Sequence, residues 1–179
     1  MGRNLIFPVI LLAAFLVACF GKEPPKDPVT DSTYFNLKLG KLTDDLIKKS
    51  ARKPRKVAVL DFVNPNGKTS QLGKYLTAKF SELSIQKNLF QTPVEGEVSK
   101  ALKTLGIAYN GTLDGAAAKK LGDAIAGDAV IVGMISDLQK GSDVDLVVKM
   151  IDTKTGTVIS ASSASFFRSK QVSSMLESF

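Results

Sequence analysis

The chain reads as α/β, a single-domain mixed sheet covered by helices and ending in an antiparallel hairpin. Three observations predict this. Helix-period and strand-period apolar patterns alternate in the order α, β, α, β, α, α, β, β, β. Near the end, "DVDLVVKMID" and "TVISASSASFF" flank "DTKTG", a loop of hairpin length with Gly156 where a left-handed residue would sit. No internal repeat appears, and the chain beyond residue 18 has the size of one domain with its own core.

Each element has a local reason. Asp31-Ser32 is a helix cap, and Phe35, Leu39, Leu42 and Leu46 follow at helical spacing; Pro54 forbids much continuation, so this helix should end near Ser50. "VAVLDF", residues 57–62, is a short apolar run typical of a buried strand. The turn "NPNG" leads to Thr69 or Ser70 as the next cap, after which Leu72, Tyr75, Leu76, Phe80 and Leu83 form one helix face. "LFQTPV" is expected as a short strand that ends, or lies at an edge, because Pro93 has no amide to donate. Val98, Ala101, Leu102 and Leu105 give a third helix closed by Gly106. After a loop at residues 109–111 comes an alanine-rich helix, 116–126, with Gly127 as its stop. "AVIVGMISDL" is the most apolar strand and should be central. In residues 143–152, Val144, Leu146, Val148 and Met150 fall on one face, and Asp145, Val147, Lys149 and Ile151 on the other.

Ahead of this domain, residues 1–18 carry Arg3 and then an apolar run broken by Pro8, the layout of a bacterial export signal. A transmembrane anchor would need about 20 apolar residues, and the run over 5–20 has sixteen. Leu16-Val17-Ala18-Cys19 resembles the lipobox of bacterial lipoproteins. That resemblance implies cleavage before Cys19 and a diacylglyceryl group on its thiol, with a third acyl chain commonly added to the new amino terminus. Stable anchoring does take more than one chain, at about 0.8 kcal/mol per buried methylene. The alternative is a free cysteine in an apolar segment; with no second cysteine, an intramolecular disulfide is excluded. Residues 19–30 are polar and proline-rich and read as an extended tether. Phe20 stands where, in enteric bacteria, an aspartate favours the inner membrane, so the outer membrane is expected.

The charge is uneven. Lys48, Lys49, Arg52, Lys53, Arg55 and Lys56 place six positive charges in nine residues, and with Arg3 they account for the whole net charge of +7. The cluster suits either an anionic surface, lipid headgroup or acidic cell-wall polymer, or a solvated loop whose lysines favour a helix C-terminus. Nucleic acid is not an expected partner of an exported protein.

Without histidine, and with its cysteine assigned, the chain lacks a histidine triad, a cysteine nucleophile and the usual zinc ligand sets. Gly67-Lys68-Thr69 matches the end of a phosphate-binding loop, but Phe62 stands where its first glycine belongs and Pro65 removes an amide. Asp61 and Asp137 lie at strand ends with no positioned nucleophile. No enzyme activity, cofactor or metal is expected. The segment 168–179 is an amphipathic tail: Val172, Met175, Leu176 and Phe179 form one apolar stripe, fit either to dock on a partner or to pack on its own sheet.

Three blocks, "KVAVLDFVNPNGKTSQLGKYLTAKFSELS", "AAAKKLGDAIAGDAVIVGMI" and "VDLVVKMIDTKTGTVISASS", resemble the FlgO family of flagellum-associated outer-membrane lipoproteins. More distantly they resemble the periplasmic domain of the curli secretion channel family. The resemblance covers most of the segment 31–167, and its motifs are structural, so it bears on fold more than on role. It implies an accessory or assembly factor for flagella and motility, anchored in the envelope and acting through protein contacts. The alternative is an envelope adaptor such as an activator of peptidoglycan synthesis. An oligomeric secretion channel stands third, because crossing a membrane needs extra amphipathic strands. A homo-oligomer is left open.

Overall fold

The computed structural model describes residues 30–137, 141 and 143–179; the leader, Cys19 and most of the tether fall outside the described residues. The described chain runs α1 (Ser32–Lys48), β1 (Val57–Val59), α2 (Gln71–Gln86), α3 (Glu97–Leu105), α4 (Gly115–Ile125), β2 (Ala129–Ser136), β3 (Asp143–Asp152), β4 (Val158–Phe167) and α5 (Lys170–Glu177). The four strands form one open sheet in the order β1-β2-β3-β4. β1 and β2 are parallel, joined by the crossover that carries α2, α3 and α4, whereas β2, β3 and β4 are antiparallel neighbours.

Strand alternation divides the core in two. On one face, Ile131, Val144, Leu146, Val148, Met150 and Phe166 meet Phe35, Leu39, Leu42 and Leu46 of α1, Leu72, Leu76 and Phe80 of α2, and Val172 and Leu176 of α5. On the other, Ala58, Leu60, Val130, Val132 and Ile151 meet Ala118, Leu121 and Ile125 of α4, with α3 packed alongside through Val98, Ala101 and Leu102. The helices on this second side cover β1, β2 and the hairpin end of β3. Asp145, Val147 and Lys149 of β3, and Ala161, Ser163 and Ser165 of β4, are exposed.

The caps follow the expected chemistry. Side chains of Asp31, Ser70, Asp114 and Ser169 each accept an amide at a helix start, so Ser70 rather than Thr69 caps α2. Gly106 and Gly156 take the left-handed conformation expected of them. At the end of α4 the left-handed residue is Ala126, with φ 47°, one position before the glycine the sequence suggests. "LFQTPV" is not a strand but a single bridge, Gln91 to Lys56. Its ladder runs from the Gln91 amide to the Arg55 carbonyl and from the Val57 amide to the Gln91 carbonyl. The next donor in that register would be Pro93, which has none.

β1 is also shorter than "VAVLDF". Leu60 donates to Ile131, and Val63, three residues on, donates to Gly133, only two residues along β2. The extra residue is a β-bulge at Asp61-Phe62, and Phe62 occupies its centre. The ring lies on Gly133, where a Cβ would overlap it, and its carbonyl rests on Gly73, where a Cβ would overlap the oxygen. The Phe62 amide donates to Thr77 Oγ1 at 2.8 Å, and that hydroxyl donates to the Gly73 carbonyl at 2.8 Å. Its ring meets Phe80 edge-on, centroids 5.7 Å apart.

This geometry predicts that Gly133→Ala destabilises the domain by about 1–3 kcal/mol through overpacking. Because the methyl clashes with one ring, adding Phe62→Leu should cost less than the sum of the single changes, read from thermal or urea unfolding of the four proteins in a double-mutant cycle. Strict additivity would show that the two residues do not meet.

Candidate functional site

Four surfaces bear on function, and the first is where residues 1–29 lead into the domain. Thr30 is buried, its hydroxyl 2.7 Å from that of Ser169. The Phe167 amide donates to the Tyr34 hydroxyl at 2.7 Å, while at the far end of α1 the Ser160 hydroxyl donates to the Leu46 carbonyl at 2.6 Å. α1 therefore runs antiparallel to β4, and the leading segment joins the domain beside α5.

The tail is part of the same core. Val172 and Leu176 are buried, Met175 packs against them, and Phe179 alone of the four stripe residues stays exposed, with Lys68 Nζ 5.8 Å from its ring centre. α5 is fastened to α2 by the Gln71 amide on the Ser178 carbonyl, 2.7 Å, and to the sheet by the Arg168–Asp137 ion pair.

The basic residues lie at the other end. α1 has 17 residues, so at 1.5 Å per residue they sit about 25 Å from the point where the leading segment joins. The six are not one patch. Arg52 is paired with Asp152 and donates to the Asp128 carbonyl at 2.8 Å. Lys56 Nζ donates to the Ile125 carbonyl at 2.6 Å and to Glu97 at 3.3 Å. Lys48, Lys49, Lys53 and Arg55 remain exposed. Burial raises the Asp152 pKa, but the Thr155 and Lys154 amides and Arg52 outweigh it, so the carboxyl stays below the usual range. Asp128 is held down chiefly by the Lys56 and Arg55 amides. Sequence reading gave Asp152 to the hairpin and missed this ion pair, for which the only signal was the unusual density of cations opposite an Asp-x-x-Thr-Gly turn.

The residues tested for catalysis do not assemble into a site. In the 64–69 loop the Gly67 amide bonds to Asn64, the Lys68 amide to Asn66 and the Asn64 amide to Lys68, so the loop closes on itself. Asp137 is engaged by Arg168, while Asp61 is exposed at the bulge. Among the described residues no three His, Cys, Asp or Glu side chains come together to hold a metal.

The remaining surface is the bare part of the sheet. Between β2–β3 and the loop before α4 lies a cavity of about 330 Å³, floored by Val132, Met134, Val147 and Ile151, with Val158 and Lys149 at its margin. Val147 and Val158 are 38% and 55% exposed, so this part of the sheet leaves apolar side chains uncovered.

No family model matches the sequence, and no curated protein does. Solved structures do match. The LpoB C-terminal domain from Salmonella enterica aligns with a TM-score of 0.61 at 15% identity, over 75% of this chain and 98% of that one. The Escherichia coli LpoB C-terminal domain gives 0.61 at 12% identity, with the same coverage. Lipoprotein GNA1162 from Neisseria meningitidis gives 0.52 at 15% identity, over 66% and 84%. What the chain shares with them is the fold. The narrower FlgO resemblance finds no support among these structures.

The two depressed carboxyls set an acid limit. Their contribution is complete above the unfolded value, about 3.9, and is lost as pH falls from there through the lower folded values. Stability measured by urea unfolding should therefore fall from about pH 4 downward, and Asp152→Asn should flatten that fall while costing about 1–3 kcal/mol at neutral pH. An unchanged acid slope in the variant would show that Asp152 is not so held.

Proposed function

We propose that the protein is a lipid-anchored, non-catalytic envelope adaptor that works through protein contacts, in the manner of an activator of peptidoglycan synthesis. The observation that carries this is the LpoB likeness, which extends over nearly the whole of the LpoB C-terminal domain. The flagellar reading rests on the FlgO resemblance alone and stands second. The channel reading is disfavoured because each described strand is an integral member of the one four-stranded sheet. Among the described residues no helix is long and apolar enough to cross a membrane. Anchoring is assigned to Cys19, with the domain in the periplasm and the outer membrane as its site.

In this arrangement the exposed Lys48, Lys49, Lys53 and Arg55 lie at the end away from the tether, turned to whatever the domain meets rather than to its own anchor. A photo-cross-linking residue in place of Val147 or Val158, in living cells, should capture a cell-wall synthase. Capture of flagellar basal-body proteins instead would return the function to motility.

The anchor has its own test. Cys19→Ala should lose metabolic lipid labelling and retain its leader. A variant that is still cleaved and still fractionates with membranes would refute lipidation at this residue.

A further inference from the structure

The outer edge of β1 is open. Ala58 and Leu60 turn their backbone groups to β2, and Val57 turns outward to Gln91. By alternation Val59 also faces outward, and its N–H and C=O pair with nothing among the described residues. The residue that would have continued the ladder is Pro93, which cannot donate and leads the chain away into the 94–97 turn. A cavity of about 770 Å³ takes the vacated place. Its floor is Val59 to Asp61 and Val63; one wall is α2, through Ala78 and Ser81, and the other is α3, through Val98, Ser99 and Leu102, with Tyr109 at the far end.

We propose that this slot binds an extended segment of a partner protein, which adds to the sheet as a fifth strand beside β1. The backbone groups of Val59 supply the hydrogen bonds that fix an extended conformation, as in other strand additions. From Val59 to Asp61, before the bulge, the floor accepts about three residues at roughly 3.3 Å each. Side chains of the added strand alternate between two unlike walls. Ala78 and Ser81 admit small residues; Val98 and Leu102 favour apolar ones. The charged residues lining the slot, Asp61 and Glu95, are both acidic, so the segment is basic as well as apolar. The Tyr109 hydroxyl is buried beside the Gly133 backbone amide, and burial pushes its pKa up to about 12, so it closes the far end of the slot as a neutral group. The proposal depends on the adaptor reading only for placing the partner in the envelope.

The test uses the full acylated chain in detergent and peptides selected on it from a random displayed library. Selected peptides should alternate apolar and small residues and carry lysine or arginine. They should slow exchange of the Val59 amide. N-methylating them should weaken binding at least tenfold at one position, the amide that meets the Val59 carbonyl, and little elsewhere. Ser99→Trp, on the exposed side of α3, should fill the slot and weaken binding at least tenfold. The N-methyl series leaves the protein unchanged, so it decides the matter even if that variant misfolds. Selection of no peptide, binding indifferent to N-methylation, or protection elsewhere would overturn the proposal. So would a Val59 amide already protected in the free chain: independent of concentration if the N-terminal segment fills the slot, dependent on it if a second copy does. If the peptides behave as expected while cellular cross-linking finds no envelope partner, the slot stands and the adaptor reading falls.

Discussion

Phe62 is the residue on which the layers of this domain depend. Its ring needs the missing side chain of Gly133, its carbonyl needs that of Gly73, and its amide is held by Thr77. One side chain and the two peptide units flanking it thus fix how closely α2 approaches the sheet and where β1 bulges. Both glycines sit inside regular elements, where glycine is normally unfavourable by roughly 0.5–1 kcal/mol; close approach is what they gain. The bulge in turn ends β1 as a ladder and turns Asp61 outward beside the slot. A packing requirement in the core therefore sets the geometry of an edge.

Much of this was legible in the sequence because it is local. Caps are decided by one side chain and three following amides, which is why Asp31 and the Ser70 alternative were readable, and Gly106 and Gly156 announce a left-handed backbone. The β3–β4 pair was readable because its alternation is long. What failed to show was long-range. "LFQTPV" has strand composition, yet only Gln91 pairs, because the ladder's next amide is proline. Gly127 looked like the stop of α4, but the turn falls on Ala126, and Thr153 packed against Gly122 accompanies a register that no local pattern encodes. The six cations looked like one patch. Only the fold brings Asp152 to Arg52 and Glu97 to Lys56, pairing two of the six with acids while both stay partly exposed.

The domain is polar along its length as a result. Its leading segment joins beside α5, where Thr30, Ser169 and the Arg168–Asp137 pair close the structure, and its free lysines lie at the opposite end of α1. Under the adaptor reading, the exposed cations lie at the end of α1 opposite the point where the leading segment joins, and would be free to meet a partner. Fold alone does not assign such a role. The adaptor reading would use the open face at Val147 and Val158.

Exposed strand edges invite unwanted pairing, and proteins usually cover them. At β4, α1 lies along the strand and ties its outer edge at the two ends, where the Tyr34 hydroxyl takes the Phe167 amide and the Ala51 amide donates to Ile159. β1 begins to be covered in the same way, by Gln91, and then is not, because proline comes two residues later. α2 and α3 line that opening on its two sides. If a single extended chain pairs there, the helices that leave the edge unpaired also restrict what can pair with it.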